Sequence, residues 1–301
     1  MEFKKLNKLQ YWYLKYSDRK SYKQYKKDKE EFAYNLKLYN QKHPSLNHLY
    51  KSETTFKHSG NSGDIIYALP TILELSKGGK AHIYLQINQK GTYETYHPLG
   101  ALMLNQKMAD MLKPLLKYQP NIAACEVYQN ETLDYDLDIF RDYGMNLDRG
   151  SICRWYFHVY GISYPLHEPW LVAPSDTSLQ DFIVIARSHR YRSPFIDYSF
   201  LQNYDKKLFI GVKEEYEDMK RMIPNLEFRE VNDFLEMATI IKSCKLFIGN
   251  QSFPFSIAEA LKVNRLLEAY YKSPNVIVEG KGANDFMYQP QFEYMVKMLT
   301  Q

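Results

Sequence analysis

The chain has 301 residues, of which 45% are hydrophobic and 25% are charged, a composition typical of globular proteins. Its net charge of +4 is uneven, since residues 1–50 carry 12 Lys and Arg against 5 Asp and Glu, a balance of +7, which leaves −3 for the rest. The three cysteines have no CxxC spacing, which argues against a structural zinc site and against a disulfide framework.

No apolar run approaches the ~20 residues that a membrane-spanning helix needs. The first residues also lack the unbroken apolar core of a signal peptide. The sparse, odd number of cysteines fits a reducing compartment. The sequence therefore predicts a cytoplasmic protein that could at most attach to the surface of a membrane.

Residues 1–50 form a basic segment with no Gly or Pro before Pro44, and this predicts a helical extension. Its apolar side chains fall near one helical face, while Lys fills the others: Tyr22, Tyr25, Phe32, Leu36 and Tyr39. Three roles are open, namely docking on the body of the protein, peripheral contact with a membrane, and oligomerisation. Nucleic acid is not expected as a partner, because only the basic charge supports it.

A glycine-rich turn at residues 58–63 precedes an amphipathic helix predicted over residues 65–75. The turn matches neither the GxxxxGK[ST] pattern of a phosphate-binding loop nor the GxGxxG pattern of a dinucleotide site. Asp64 stands where the turn meets the helix. It could stabilise the helix N-terminus, the more common role, or point into a cleft as a general base.

The sequence from there to residue 170 predicts a strand at residues 81–88 and a helix over residues 103–118 that is interrupted at Pro114. Strands are predicted at residues 122–128 and 133–140, and a helix at 154–160. Prolines and a Ser/Asp/Thr cluster place a domain boundary near residues 165–178, so that the first domain covers residues 51–170.

The second half, residues 171–285, alternates apolar strands with helices. Strands are predicted at 182–186, 208–212, 246–248, 265–270 and 275–278, with helices near 214, at 231–242 and after Pro254. Gly249 is predicted to turn the chain after its strand, and residues 286–299 to form a terminal helix. This alternation indicates an α/β protein with a doubly wound parallel sheet.

Three turns of the second half follow apolar strands, at residues 187–192, 211–214 and 249–256. Because ligands bind at the carboxyl ends of parallel strands, these turns should share one edge. Arg187, Arg190 and Arg192 suit the oxygens of a diphosphate, and Glu259 could accept both hydroxyls of a ribose. Together they predict a nucleotide site, with Asp64 facing it from the first domain.

The segments at 63–70, 185–188, 209–215 and 234–249 resemble, in order, the bacterial ADP-heptose:lipopolysaccharide heptosyltransferases, a group of GT-B glycosyltransferases. Gly63, Asp64 and Pro70 match that group's first-loop pattern. The donor loop departs from it, because the Asp, Gly and His of its D-[TS]-G-x-x-H pattern are replaced and Ser256 stands at the histidine position. The helix with Glu259 resembles the ribose-binding helix of MurG-type GT-B enzymes.

The resemblance implies two Rossmann-like domains that face a cleft, and inverting transfer of a sugar from a nucleotide-sugar donor without a metal or a cofactor. The acceptor would be a glycan, a lipid-linked sugar or a protein. Asp64 would be the base, and the cleft loop would hold Asn61, Ser62 and Gly63. The donor site would be formed by Arg187, Ser188, Arg190, Arg192, Gly249, Asn250, Gln251, Ser252, Ser256 and Glu259.

Three other readings stay open. A binding protein of the same fold that has lost catalysis is favoured by the altered donor loop and disfavoured by Asp64 and the arginines. A DNA-modifying glycosyltransferase has only the basic extension in its support. A nicotinamide-dependent enzyme is disfavoured, because neither domain carries GxGxxG after its first strand.

Overall fold

A computed structural model describes residues 3–40, 51–91 and 100–301. The chain forms two compact units that divide between residues 46 and 47. The first is a helical hairpin of α1 (Lys8–Ser17) and α2 (Arg19–Asn40). The helical extension is thereby confirmed for residues 8–40, while the segment 41–50 and the side chain of Tyr39, one of the predicted face residues, lie outside what the structure describes.

The larger unit contains two parallel sheets, and the first has the strand order β3-β2-β1-β4. Its strands are β1 (Glu53–His58), β2 (Lys80–Leu85), β3 (Ile122–Val127) and β4 (Tyr135–Asp136). The helices of this half are α3 (Ser62–Leu75), α4 (Gln106–Lys117) and α5 (Ile152–Tyr160). Alternate residues of β1 and β2 are buried, since each strand turns one face toward the packed helices.

The second sheet has the order β10-β9-β8-β5-β6-β7, which is the doubly wound order of a Rossmann fold. Its strands are β5 (Ile183–Ala186), β6 (Lys207–Phe209), β7 (Glu227–Phe228), β8 (Leu246–Asn250), β9 (Arg265–Glu268) and β10 (Ala283–Phe286). Its helices are α6 (Lys213–Met222), α7 (Phe234–Ser243), α8 (Phe253–Leu261) and α9 (Gln289–Thr300). The strand order reverses between β5 and β8, where such folds bind ligands.

The two halves of the larger unit share one hydrophobic core, because α3 packs on α8 and α4 packs on α7. The Trp170 indole N–H donates to the Ile66 carbonyl (3.1 Å), and the Trp170 backbone N–H donates to the Ala260 carbonyl (3.0 Å). Trp170 thus joins a helix of each half. The predicted α/β class with two Rossmann-like sheets and a helical extension is confirmed.

Three element predictions are wrong in detail. Helix α4 continues through Pro114, because Leu112, Leu115 and Leu116 bury the turns around it. The strand predicted at 133–140 is limited to Tyr135–Asp136, after which the chain forms a 3₁₀ helix, Leu137–Tyr143, whose first turn is capped by the Asp136 carboxylate. Residues 275–278 form no strand, since β10 at residues 283–286 occupies the edge beside β9.

Within the described residues, no helix is both long enough and apolar enough to cross a membrane.

Candidate functional site

The N-termini of α3 and α8 lie against each other, and this contact brings the ligand-binding edges of the two sheets together. A side-chain carbon built on Gly63 would stand 3.7 Å from the Phe253 Cα atom and 3.7 Å from the Ser256 hydroxyl oxygen. Helix α3 follows the carboxyl end of β1, and α8 follows the carboxyl end of β8. Asp64 is the next residue of α3 after Gly63, and its predicted role as the base stays a prediction.

Asp64 is a partly buried residue in the first turn of α3. Its carboxylate accepts hydrogen bonds from the Asn61 backbone N–H (3.0 Å) and from the Asn61 side-chain amide (3.2 Å). These bonds use a single carboxylate oxygen, Oδ2, and fix the direction of the side chain. Both readings of Asp64 are thus compatible with its position: it stabilises the start of α3, and it stands at the edge where α3 meets α8.

A buried histidine supports the turn that carries Asp64. The His58 imidazole accepts a hydrogen bond from the Gly60 backbone N–H through Nδ1 (2.8 Å) and contacts the Tyr156 hydroxyl through Nε2 (2.7 Å). Burial lowers the pKa of His58, which favours the neutral ring. Since Nδ1 accepts, the proton resides on Nε2 and is donated to Tyr156. The sequence analysis missed this role of His58.

Asp138 and Arg141 extend this network from the 3₁₀ helix. The Asp138 carboxylate accepts a hydrogen bond from the Ser59 backbone N–H (3.0 Å) and forms an ion pair with Arg141. Arg141 also donates to the Ser59 hydroxyl (3.3 Å). Residues 58–60 are therefore held from two sides, and this keeps the turn before Asp64 rigid.

On the second sheet, Asn250 ties together the two strand ends at the point where the strand order reverses. Its fully buried amide accepts from the Ser188 N–H (3.0 Å) and donates to the Ser188 carbonyl (2.8 Å). Ser252, at the N-cap of α8, follows two residues later. The prediction that residues 187–192 and 249–256 share one edge is confirmed by these contacts, and Asn250 organises that edge.

Ser188 presents an unused polar atom at this edge. Its hydroxyl oxygen is shielded from solvent and has no hydrogen-bond partner among the described residues. The same holds for Nε of Arg192, whose NH1 group pairs with Asp218. Arg190 lies over the Tyr191 ring, 4.9 Å from its centroid. Unpaired donors beside a helix N-terminus are typical of anion sites, and the donor-binding role of these side chains stays a prediction.

Arg187 does not present its charge to the cleft. Its guanidinium is 2% exposed and forms a two-pronged ion pair with Glu268, with N–O distances of 2.6 and 2.8 Å. Glu268 also accepts from the Ser193 N–H (2.7 Å) and the Tyr198 hydroxyl (3.0 Å). The direct phosphate contact predicted for Arg187 stays a prediction, while its geometry favours positioning the loop at residues 187–198.

Glu259 is placed away from the edge that the nucleotide hypothesis needs. It is 1% exposed and pairs with Lys262 and with Arg265, the first residue of β9. The amino end of a strand lies opposite the ligand-binding edge. The Glu279 N–H adds a further hydrogen bond (3.2 Å). These contacts make Glu259 the centre of a buried charge cluster, and the ribose contact predicted for it stays a prediction.

Gln251 and Ser256 are also engaged inside the protein. The Gln251 amide donates to the Ser273 carbonyl (2.7 Å) and to the Asn275 side chain (2.8 Å), and accepts from the Tyr270 N–H (2.6 Å). Ser256 donates to the Phe253 carbonyl (2.7 Å). Gln251 therefore clamps the loop after β9, and a donor contact by either side chain remains a prediction.

Gly249 lies inside β8 and does not form the turn predicted for it. A side-chain carbon there would stand 2.9 Å from the Ala186 carbonyl and 3.0 Å from the Phe247 ring. Glycine is thus required because β5 and β8 approach closely, and the turn itself begins at Asn250.

Two further features of this edge were not predicted. Glu215, in the first turn of α6, is buried, and burial raises its pKa to about 7. A row of aromatic rings borders the loops after β5 and β9, with 5.4–6.2 Å between the centroids of neighbouring rings: Tyr191, Tyr270, Tyr271 and Phe195. Glu215 is the last residue of the segment 209–215 that carries the resemblance, but its burial was not predicted, and no local sequence pattern indicates the row of rings.

Within the part of the chain that the structure describes, no group of three or more His, Cys, Asp and Glu side chains could hold a metal ion.

No protein-family model matches the sequence, and no curated protein matches it. The structure is similar to a family 9 glycosyltransferase from Veillonella parvula, with a TM-score of 0.52 and 13% identity over 83% of this chain and 89% of that one. It is also similar to Escherichia coli heptosyltransferase WaaC with ADP, with a TM-score of 0.54 and 10% identity over 82% and 99% of the two chains. The predicted GT-B fold and its likeness to heptosyltransferases are confirmed at the level of fold.

Proposed function

We propose that this protein is a glycosyltransferase that moves a sugar from a nucleotide-sugar donor to a hydroxyl of a glycan, a lipid-linked sugar or a protein. The observation that carries the proposal is the contact between the first turn of α3, which contains Asp64, and the N-terminus of α8, where the two Rossmann-like sheets meet. The GT-B fold supports it, and so does the WaaC neighbour, whose structure contains ADP.

Asp64 acts as the general base in this proposal. Its Oδ2 atom is held by Asn61, so the carboxylate is fixed in one direction before any substrate binds. The acceptor hydroxyl loses its proton to Asp64 as its oxygen forms the new bond to the sugar. A single displacement of this kind inverts the anomeric carbon. A general base contributes a factor on the order of 10²–10⁴ to the rate.

The second sheet receives the leaving nucleoside diphosphate. As the bond between sugar and phosphate breaks, its electron pair passes to the diphosphate, whose charge must be stabilised. In this proposal Ser188, which Asn250 holds at the end of β8, supplies a hydroxyl, and Arg190 and Arg192 of the same loop supply two guanidinium groups. The backbone N–H groups and the dipole of a helix N-terminus favour an anion at this place. The reaction proposed here uses no metal and no cofactor.

The cytoplasm is the proposed location. The described structure has three free thiols and no disulfide, which suits a reducing compartment.

The experiment measures release of nucleoside diphosphate from a panel of ADP-, UDP-, GDP- and dTDP-sugars, with and without simple sugar acceptors. For the donor that reacts, Asp64→Asn should reduce the rate at least ~100-fold, in keeping with the loss of a general base. The matched control is Asp110→Asn, which changes an exposed aspartate of α4. Turnover by Asp64→Asn at the wild-type rate would contradict the assignment.

A catalytically inactive binding protein is the second candidate. The buried ion pairs of Arg187 and Glu259 favour it, because two of the side chains expected to bind the donor are already paired inside the protein. In that case a nucleotide would raise the melting temperature of the wild type and of Asp64→Asn equally, and no donor of the panel would lose its sugar.

A further inference from the structure

The N-terminal hairpin has an internal aromatic seam that accounts for one face of α1. The Tyr11 ring contacts the rings of Tyr22 and Tyr25, with centroid distances of 5.3 and 6.2 Å, and Phe3 lies 5.4 Å from both Tyr25 and Phe32. The Tyr11 and Tyr22 hydroxyls are 2.8 Å apart. Within the hairpin, the inward face of α1 is therefore already occupied by α2.

The opposite face of α1 is apolar and exposed. It consists of Leu9, Trp12, Tyr13 and Tyr16, whose exposed fractions are 84%, 60%, 74% and 69%. Their spacing of i, i+3, i+4 and i+7 places them on one side of the helix. Exposed aromatic residues scattered singly need no explanation, but a continuous row along one helical face marks an interaction surface.

The hairpin that carries this row is strongly basic. Residues 3–40 contain eleven Lys and Arg against four Asp and Glu, a net charge of +7 within the hairpin. Lys8 and Lys15 lie on α1 itself, and Lys15 stands 5.5 Å from the centroid of the Tyr16 ring. Long lysine side chains beside an apolar row can reach phosphate groups while their aliphatic parts stay in the interface.

We propose that α1 lies in the headgroup region of an anionic lipid bilayer, with Leu9, Trp12, Tyr13 and Tyr16 turned toward the acyl chains. Trp and Tyr prefer this region because each has an apolar ring and a polar group that stays hydrated. The lysines pair with the lipid phosphates, because an anionic membrane surface attracts basic side chains that lie close to it. A protein partner would not by itself require the +7 charge, whereas an anionic membrane uses both the charge and the aromatic row.

This inference is independent of the transferase proposal, because it concerns the hairpin alone. The test is co-sedimentation of the full chain with vesicles of phosphatidylcholine and with vesicles of equal parts phosphatidylcholine and phosphatidylglycerol. The wild type should bind the anionic vesicles and release at high salt, since salt screens surface charge. The variant Trp12→Ser, Tyr13→Ser, Tyr16→Ser should partition at least ~10-fold less, because it loses its buried apolar area.

The control variant is Tyr288→Ser, Tyr294→Ser, which removes two aromatic side chains that are 60% and 61% exposed on the larger unit. It should bind like the wild type, and the melting temperatures of all variants should agree. Quenching of Trp12 fluorescence by brominated lipid reports the depth directly, with Trp12→Phe as the blank. Equal sedimentation of the triple variant and the wild type, or a dimer that the triple variant abolishes without any vesicle binding, would overturn the inference.

Discussion

At the residue scale, the charged side chains of the second sheet divide into those used inside the protein and those left at its edge. Arg187 pairs with Glu268, and Glu259 pairs with Arg265, in each case with both partners at most 2% exposed. A charge buried this deeply is stable only when it is paired. Ser188 and the Nε group of Arg192 are shielded from solvent without a partner among the described residues, so they are the side chains that a ligand could still satisfy.

The residue types at this edge were predictable, but their partners were not. Arg187 and Glu268 are 81 residues apart, and nothing in the local sequence says that they will meet. An arginine after a buried strand fits phosphate binding and internal pairing equally well, until the position of every carboxylate is known. The place of Asp64 at the start of a helix was predictable, because the helix and the glycine-rich turn before it are both local features.

Glu215 gives a prediction about pH at the same scale. Burial raises its pKa from 4.5 to about 7, although the N–H groups of His189 and Val212 oppose the shift. The stabilising contribution of the neutral carboxyl is complete below pH 4.5 and is lost as the pH rises toward 7 and above. The loss amounts to about 3 kcal/mol, since one pKa unit corresponds to about 1.4 kcal/mol.

Replacing Glu215 with Gln should therefore flatten this dependence. Between about pH 5 and about pH 8, the melting temperature of the wild type should fall more steeply than that of Glu215→Gln. Glu214→Gln, which changes the exposed neighbouring residue, serves as the control and should follow the wild type. Parallel curves for Glu215→Gln and the wild type would refute the buried, neutral state of this carboxyl.

At the element scale, strands with strong apolar runs were predictable and segments governed by side-chain contacts were not. Strands β5 and β8 are buried at every position, and apart from Gly249 and Asn250 at the end of β8 they are continuous apolar runs, the pattern from which they were predicted. The alternating pattern at residues 133–140 predicted a strand, but the Asp136 carboxylate caps a 3₁₀ turn instead. Helix α4 includes Pro114 because buried leucines on both sides outweigh the cost of the proline.

The glycine-rich turn offers the sharpest test of an element. A side-chain carbon on Gly60 would lie 2.6 Å from the His58 ring and 2.9 Å from the Asp64 carboxylate, whereas one on Gly63 would have 3.7 Å of room. Gly60→Ala should lower the free energy of unfolding by about 1–3 kcal/mol, the usual cost of overpacking. Gly63→Ala should leave it unchanged or raise it slightly, since alanine favours a helix.

Chemical denaturation of the two variants beside the wild type measures this difference. Equal stability of Gly60→Ala and Gly63→Ala would show that the turn is not packed as tightly as His58 and Asp64 require.

At the scale of the whole molecule, the Rossmann order of the second sheet could be expected from the alternation of strands and helices. The contacts that join the two halves of the larger unit could not be expected from the sequence. Asn275 receives a hydrogen bond from Gln251 (2.8 Å) and donates to the Leu147 carbonyl (2.9 Å), which links the second sheet to the first half. Such contacts depend on the final approach of segments that are distant in sequence, so no local pattern encodes them.

The central proposal is that the second sheet binds a nucleoside diphosphate at the edge where its strand order reverses, between β5 and β8. The most direct measurement is the thermal shift of the purified protein with ADP, UDP, GDP, CMP and dTDP. One nucleotide should stand out, because a ligand at 100 times its dissociation constant stabilises the folded state by about 2.7 kcal/mol. Replacing Ser188 with Ala should reduce that shift. A cooperative unfolding transition that none of the five nucleotides displaces would contradict the claim.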